Sequence, residues 1–443
     1  MSRDRCKAKK RSSAAAARYV LTHLNPQDRF NAIVFSTGYR LYANELQPVS
    51  NAENAAQWIN GLDAVGGTDI NLALTTAAQM ADSERQTVLL FLTDGLPSEG
   101  VVESKSILAN IATVARPNLR LFSFGVGDDV DTFLLDSLSS AYGGTSVYVR
   151  PQENIEDKVS SLYNKITSPV LTDLQLNFGS VMVDDSYPLA PLPDLFAGSS
   201  LIVVGRYRGG DKTTITLTGK LNGETQTFSY SDLVFPANAG GQPFIPRLWA
   251  TRKIGYLLNQ IRLNGETKEL VDSVVALSIR YGIITPYTSF LIQENDITVQ
   301  EGGTPIPIEP PVAMQGTALP TATANTGSAA VDRASEANDM AGAVSAPAAP
   351  TAQAGQASGG AAAGTTTEVI KQVNDRTFVL RNGTWIDTQY TAEVAANTQI
   401  VTITFLSDDY FKLLEDHPEL KDYLALGDHV IVIVDGVAYE IKP

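Results

Sequence analysis

The chain has 443 residues, which at roughly 150 per domain predicts about three units, and its 44% apolar content is enough for at least one buried core. A formal net charge of -15, from 33 Lys plus Arg against 48 Asp plus Glu, repels phosphate backbones and anionic lipid surfaces, so nucleic acid is not an expected partner. One cysteine, Cys6, and three histidines, His23, His417 and His429, exclude an intrachain disulfide, a cysteine metal cluster and most histidine-based sites.

The opening MSRDRCKAKKRSS is basic, but the Ala-rich sequence after it lacks the apolar core of a secretory signal and reads as a fraying helix start. No apolar run reaches the roughly 18 residues that a membrane-spanning helix needs. Over residues 1–168, apolar runs alternate with helix-period segments, which predicts an α/β fold with a doubly wound, mostly parallel, Rossmann-like sheet. The strands fall at 30–35, 88–92 and 119–124, and the helices at 14–24, 52–62, 69–80, 101–115, 130–140 and 155–166. The run Val88, Leu89, Leu90, Phe91, Leu92 is apolar at every position, which a strand tolerates only when both faces are covered, so it is expected at the centre of the sheet. Asp128 and Asp129 signal a helix start, and Gly143 with Gly144 a stop.

From 170 to 235 the period becomes two, with strands expected at 201–204 and around Thr213, Ile215 and Leu217, and with Gly209-Gly210 as a hairpin turn. A helical hairpin follows over 247–263 and 267–281, broken at Asn264-Gly265, with a closing strand at 288–292; this β-rich collar and hairpin form a unit over 169–295. Residues 296–366 are dominated by Ala, Thr, Pro and Gly and have too little to bury to offset the entropy of ordering, so they are expected to be a disordered linker. In the last stretch, 367–443, Asn382-Gly383 and Asp435-Gly436 suit type I′ hairpins, and a helical piece over 409–424 is interrupted before Pro418. The result is a small α+β module.

In an open parallel sheet, ligands bind beyond the carboxyl ends of the strands. Two loops there combine small residues with oxygen donors: Thr93-Asp94-Gly95 and Gly66-Gly67-Thr68-Asp69. Such donors suit Mg²⁺, Mn²⁺ or Ca²⁺ rather than zinc. Plainer roles exist for each: Asp94 as a turn former, Thr68 as a helix cap, and Asp69 as a first-turn acid. Trp249, Arg252 and Tyr256 fit core packing with an ion pair, and His417 and His429 fit structural positions. Enzyme signatures fare badly. The loop GRYRGGDKT has Asp211 where a phosphate-binding loop needs lysine, Gly125-Val126-Gly127 lacks the third glycine of a dinucleotide fingerprint, and no GxSxG, HExxH or EF-hand pattern occurs.

The stretches DRFNAIVFS, GGTDINLAL, VLLFLTDGLPSEG and LRLFSFGVGDDVD resemble a von Willebrand factor type A domain, in that family's order and spacing over about residues 14–168. The resemblance implies a metal-ion-dependent adhesion site made of a DxSxS motif after the first strand, the threonine of the GGT loop and the aspartate of TDG. Thr68 and Asp94 match the last two. Thr68 would be a direct hydroxyl ligand and Asp94 would act through water, leaving one coordination position for an acidic side chain of a protein partner. No DxSxS occurs in the chain, and nothing before Ala14 forms an apolar first strand. The resemblance therefore implies an N-terminally truncated member, a cation site that is incomplete, and a vacant central position that exposes strand edges and helix faces.

Residues 244–292 resemble the region after the A domain in proteins like the inter-alpha-trypsin inhibitor heavy chains, whose preceding VIT domain has no counterpart here. Together these likenesses imply a non-enzymatic protein-binding or adhesion module, assisted by Mg²⁺ or another divalent cation, acting outside the cell or at its surface. Two other readings stand beside it: a structural envelope or surface component acting through the C-terminal module, and a hydrolase using the carboxyl edge of the sheet. The hydrolase lacks a nucleophile with its base.

Overall fold

The computed structural model describes residues 3–288, 324–346 and 369–443, apart from 63–65, 167–168, 197, 211, 222, 237–241, 243, 375 and 382. The strand expected over 288–292, much of the linker and Asn382 thus fall outside the described residues. The chain divides into two compact units, Met1–Asn238 with Thr323–Asp339, and Ala239–Ala322 with Met340–Pro443.

The first unit opens with α1 (Arg3–Thr22), β1 (Arg29–Phe30), β2 (Ile33–Phe35), β3 (Tyr39–Leu41), β4 (Gln47–Pro48), α2 (Ala52–Asn60) and α3 (Ile70–Gln79). It continues through β5 (Thr87–Thr93), α4 (Ser104–Val114), β6 (Leu119–Val126), α5 (Thr132–Ala141), β7 (Ser146–Val149) and α6 (Ile155–Ile166). Strands β5, β6 and β7 pair in parallel in that order. The period-two alternation of β5 sends Leu89 and Phe91 into one apolar layer with Ile70, Leu74, Ile107 and Leu134. Leu90 and Leu92 go into the opposite layer with Ala16, Phe124 and Val159. The sheet is thus covered on both faces, as the α/β reading requires.

Two expectations change. The apolar run of β5 is the edge of a three-stranded sheet, not its centre, and the run at 30–35 splits into β1, paired with β4, and β2, paired with β3. Among the described residues β5 hydrogen-bonds to β6 and β2 to β3, and an apolar run specifies covered faces and not paired edges. Helix α5 begins at Thr132, capped by Asp131, whose carboxylate accepts the Leu134 amide at 3.0 Å. Asp128 pairs instead with Arg150 at 2.9 Å.

The collar consists of β8 (Pro169–Asn177), β9 (Met182–Tyr187), β10 (Leu195–Phe196), β11 (Val204–Arg208), β12 (Lys212–Leu221) and β13 (Glu224–Val234). It forms a four-stranded antiparallel sheet, β10-β8-β12-β13, and a separate β9-β11 pair. The strand expected at 201–204 starts only at Val204, and Gly209-Gly210 is not a hairpin turn. It links β11 to β12, which pair with other strands, while the hairpin closes at Leu221 opposite Glu224. Arg120 of β6 fastens the collar to the parallel sheet, with Nε 2.7 Å from Asp194 and a terminal nitrogen 3.3 Å from Asp173, itself 2.9 Å from Lys220.

Within the second unit, α7 (Phe244–Asn264) and α8 (Lys268–Tyr281) form the expected hairpin, with Thr267 capping α8 at one end and Gly282 in the left-handed region (φ 61°) at the other. Trp249 and Arg252 are buried in it, and Arg252 Nε donates to the Ala343 carbonyl at 2.7 Å.

The segment expected to carry no fold contains α9 (Ser328–Ala341), which belongs with the first unit. Alanine is both the best helix former and small enough to nest: Ala330, Val331, Ala334 and Ala337 are buried, and Val331 and Ala334 join the layer of Leu134 and Leu138. The Thr132 amide and hydroxyl donate to the Asn325 carbonyl at 2.9 and 3.0 Å, Asn338 donates to Asp136 at 3.1 Å, and Arg150 pairs with Asp332.

The C-terminal sheet comprises β14 (Val369–Val373), β15 (Arg376–Arg381), β16 (Thr384–Asp387), β17 (Ile400–Thr404), β18 (Val430–Val434) and β19 (Val437–Lys442), with α10 (Ala392–Asn397), α11 (Asp408–Asp416) and α12 (Leu420–Leu424). Its order is β14-β15-β16-β18-β19-β17. The turn at Asp435 (φ 49°) and Gly436 (φ 79°) has the positive φ pair of a type I′ hairpin. Arg247 of α7 donates to Gln372 at 2.6 Å, and Thr377 donates to the Arg280 carbonyl at 3.2 Å, so within the second unit the helical hairpin packs on this sheet. His417 ends α11 and lies 3.2 Å from Glu419, and His429 Nδ1 sits 2.9 Å from the Thr384 hydroxyl.

Candidate functional site

The loop 66–69 is clamped from two sides at the carboxyl end of β5. On one side the Asp69 amide donates to the Ser36 carbonyl at 2.8 Å and the Gly67 amide to the Thr37 hydroxyl at 2.9 Å. On the other the Thr68 amide donates to Ser98 Oγ at 2.8 Å, while its carbonyl accepts the Ser98 and Glu99 amides at 3.0 and 3.3 Å. A Cβ on Gly67 would overlap the exposed Glu99 side chain, which would have to turn away to admit it.

This clamp brings the two sequence-selected residues to one rim. A Cβ built on Gly95 would stand 3.6 Å from Thr68 Oγ1. Since neighbouring Cα atoms are about 3.8 Å apart, the Asp94 Cα lies within about 9 Å of that hydroxyl. Thr68 is half-buried and Asp94 exposed. Asp69, not Thr68, caps α3, accepting the Leu72 amide at 2.9 Å. The plainer role for Thr68 is therefore already filled by its neighbour, and its hydroxyl faces the TDG loop. Ser98 and Glu99 were not singled out in the sequence, although they lie inside VLLFLTDGLPSEG; the signal was a hydroxyl and a carboxylate four and five residues after Asp94.

The donors suit a hard divalent cation in kind, being a hydroxyl and a carboxylate on small-residue loops. Among the described residues no group of three or more His, Cys, Asp or Glu side chains is placed to hold a metal ion.

Below this rim a cleft of about 1360 Å³ runs between β2 and β5, lined by residues 33–36 and 87–94, by Ala16 and Val20 of α1, and by Ala73 and Leu74 of α3. Three titratable groups on its wall are engaged. Burial pushes the Tyr163 phenol up to about 12, so it stays neutral. The amides of Glu84 and Arg85 hold the Asp82 carboxyl below its ordinary range. Partial burial works against the charge of Arg120, but the hydrogen bonds and charges of Asp194 and Asp173 outweigh that desolvation and raise its pKa.

Residues 12–161 match the family model of the von Willebrand factor type A domain. Human inter-alpha-trypsin inhibitor heavy chain H4 is 30% identical over 303 residues, 62% of this chain and 32% of that protein. Human heavy chain H6 is 29% identical over 317 residues, 64% of this chain and 24% of that protein. The chain thus spans about a third or less of the length of these curated relatives. Among solved structures, a von Willebrand factor type A protein from Catenulispora acidiphila aligns with a TM-score of 0.46 and 14% identity, covering 62% of this chain and 76% of that one.

Proposed function

We propose that the von Willebrand factor type A domain formed by residues 12–161 makes this chain a non-enzymatic protein-binding or adhesion module acting outside the cell or at its surface. Similarity to the inter-alpha-trypsin inhibitor heavy chains supports a protein partner. Among the described residues no helix is long and apolar enough to cross a membrane. A cation bound at the rim would offer a coordination position to an acidic side chain of that partner. Thr68 would contribute its hydroxyl directly and Asp94 its carboxylate through water, while Ser98 and Ser36 hold the Thr68 loop in place. The absence of a DxSxS motif leaves these two ligands without companions, so affinity is low.

The observation that carries this reading is the meeting of the Thr68 hydroxyl with the Asp94-Gly95 turn while Asp69 takes the capping role. Thermal melting with added Mg²⁺ tests it. A rise in Tm is expected only near the roughly 10⁻³ M range of weak oxygen-donor sites, and Thr68→Val and Asp94→Asn should each abolish it. Stabilisation at micromolar Mg²⁺ would show that the site is complete as it stands, and no response at any concentration would remove the cation from the reading.

A further inference from the structure

We infer that His429 and Glu440 form a binding site for a divalent cation of the Zn²⁺ class on one face of the C-terminal sheet. The site lies outside residues 12–161, the stretch that matches the family model, and it depends neither on the adhesion reading nor on Mg²⁺.

Strand alternation brings the two side chains together. Glu440 of β19 is the cross-strand partner of Ile431 in β18, and His429 stands two residues before Ile431, so it shares that face and lies diagonal to the carboxylate. The same face carries the apolar cluster of Val379, Ile386, Tyr390, Ile431 and Ala438. One end of each polar group is tied down. Nδ1 of His429 lies 2.9 Å from the Thr384 hydroxyl, while Oε2 of Glu440 lies 3.0 Å from Lys442 Nζ and accepts the Thr402 hydroxyl at 3.3 Å. The other ends are bare. Among the described residues, Nε2 of His429 and Oε1 of Glu440 are buried without a hydrogen-bond partner, and Glu440 is only 4% exposed. Two such atoms in one place are costly to leave unsatisfied.

The distance between them selects what satisfies both. They stand 3.7 Å apart, which is too far for a hydrogen bond. Zinc bonds of about 2.1 Å to an imidazole nitrogen and a carboxylate oxygen set those atoms about 3.4 Å apart in a tetrahedron and about 3.6 Å apart at a trigonal angle. A small ion therefore fits between the two lone pairs with a shift of a few tenths of an ångström. An imidazole beside a carboxylate favours Zn²⁺, Co²⁺, Ni²⁺ or Cu²⁺ over Mg²⁺. A group that fixes the ring through its other nitrogen, as Thr384 does, is the usual outer support of a histidine ligand. Water or a donor from outside completes the coordination, and the His429 side chain, 27% exposed, leaves a way in. A second histidine–carboxylate contact serves as a control: His417 Nδ1 is already hydrogen-bonded to Glu419 at 3.2 Å.

The test titrates Zn²⁺ into the full chain by calorimetry at neutral pH. Saturable binding is expected, weakened about tenfold or more by His429→Gln and by Glu440→Gln and unchanged by His417→Gln. Should the two site variants fail to fold, the double variant His23→Gln with His417→Gln leaves His429 as the one histidine of the chain. In its ¹⁵N spectra Zn²⁺ should move the Nε2 resonance. An unmoved imidazole, binding indifferent to His429→Gln, or equal competition by Mg²⁺ would each overturn the proposal. So would stabilisation by acid without saturable Zn²⁺ uptake, because a proton would then be the sole occupant.

Discussion

Val88, Leu89, Leu90, Phe91 and Leu92 in β5, and Val430, Ile431, Val432, Ile433 and Val434 in β18, are equivalent sequences in unequal surroundings. Strand β18 lies between β16 and β19, and Val430, Ile431 and Val432 are at most 1% exposed. Among the described residues β5 has a partner on one edge only, and Val88 is 39% exposed. A fully apolar run reports that helices or strands cover its two faces. It carries no information about whether both of its edges are paired, because edge pairing uses main chain that every residue possesses.

The contrast can be broken or sharpened by substitution. The largest effect is expected where the C-terminal sheet holds its buried ion pair: Arg376 donates to Asp387 at 2.7 Å, and Asp387 is 0% exposed. Arg376→Met leaves that carboxylate buried without its cation, and urea denaturation should record a loss of about 3–5 kcal/mol in the unit that contains it. Next come matched truncations of the two runs. Ile431→Ala should cost about 2–5 kcal/mol, while Leu90→Ala should cost less, about 1–2 kcal/mol, because that side chain packs on its layer while only partly buried. Equal losses would mean that β5 is as enclosed as β18.

The smallest effect is a pH dependence at the collar. The hydrogen bond from Lys220, with the charges of Lys220 and Arg120, holds the Asp173 carboxyl below its ordinary 3.8. A depressed acid contributes stability above its unfolded pKa and loses it as pH falls through the folded value, so the window lies below about pH 4. Asp173 is half exposed, so no more than a few tenths of a kcal/mol are at stake. Comparing acid melts of the parent and Asp173→Asn, the variant should show a slightly flatter curve.

Much of this was legible in the sequence. Helix α6 spans 155–166 as expected, and the Asp435-Gly436 turn follows from the positive φ angles that type I′ geometry demands. The two loops of the candidate rim were visible as small residues flanking oxygen donors after apolar runs. What escaped depends on pairing at a distance. The Gly209-Gly210 turn looks like any hairpin turn until β12 is seen to choose β8 and β13. Helix α9 was read as linker because its buried face is mostly alanine, whose burial contributes too little to raise composition-based hydrophobicity but suffices when a helix former meets a ready apolar surface. The tie of Thr68 to Ser98 joins residues thirty positions apart, and no local pattern records it.

A gene fragment that stops at residue 238 deletes part of the interior it is meant to isolate. Val331 and Ala334, both 0% exposed, arrive from nearly a hundred positions downstream, and without them the surface over Leu134 and Leu138 lies open to solvent and invites self-association. Conversely, a single backbone scission between α8 and α9 should leave the released fragment held, through α9 on α5 and through the C-terminal sheet on the helical hairpin, so that the nicked protein migrates as one species under native electrophoresis and as two in detergent.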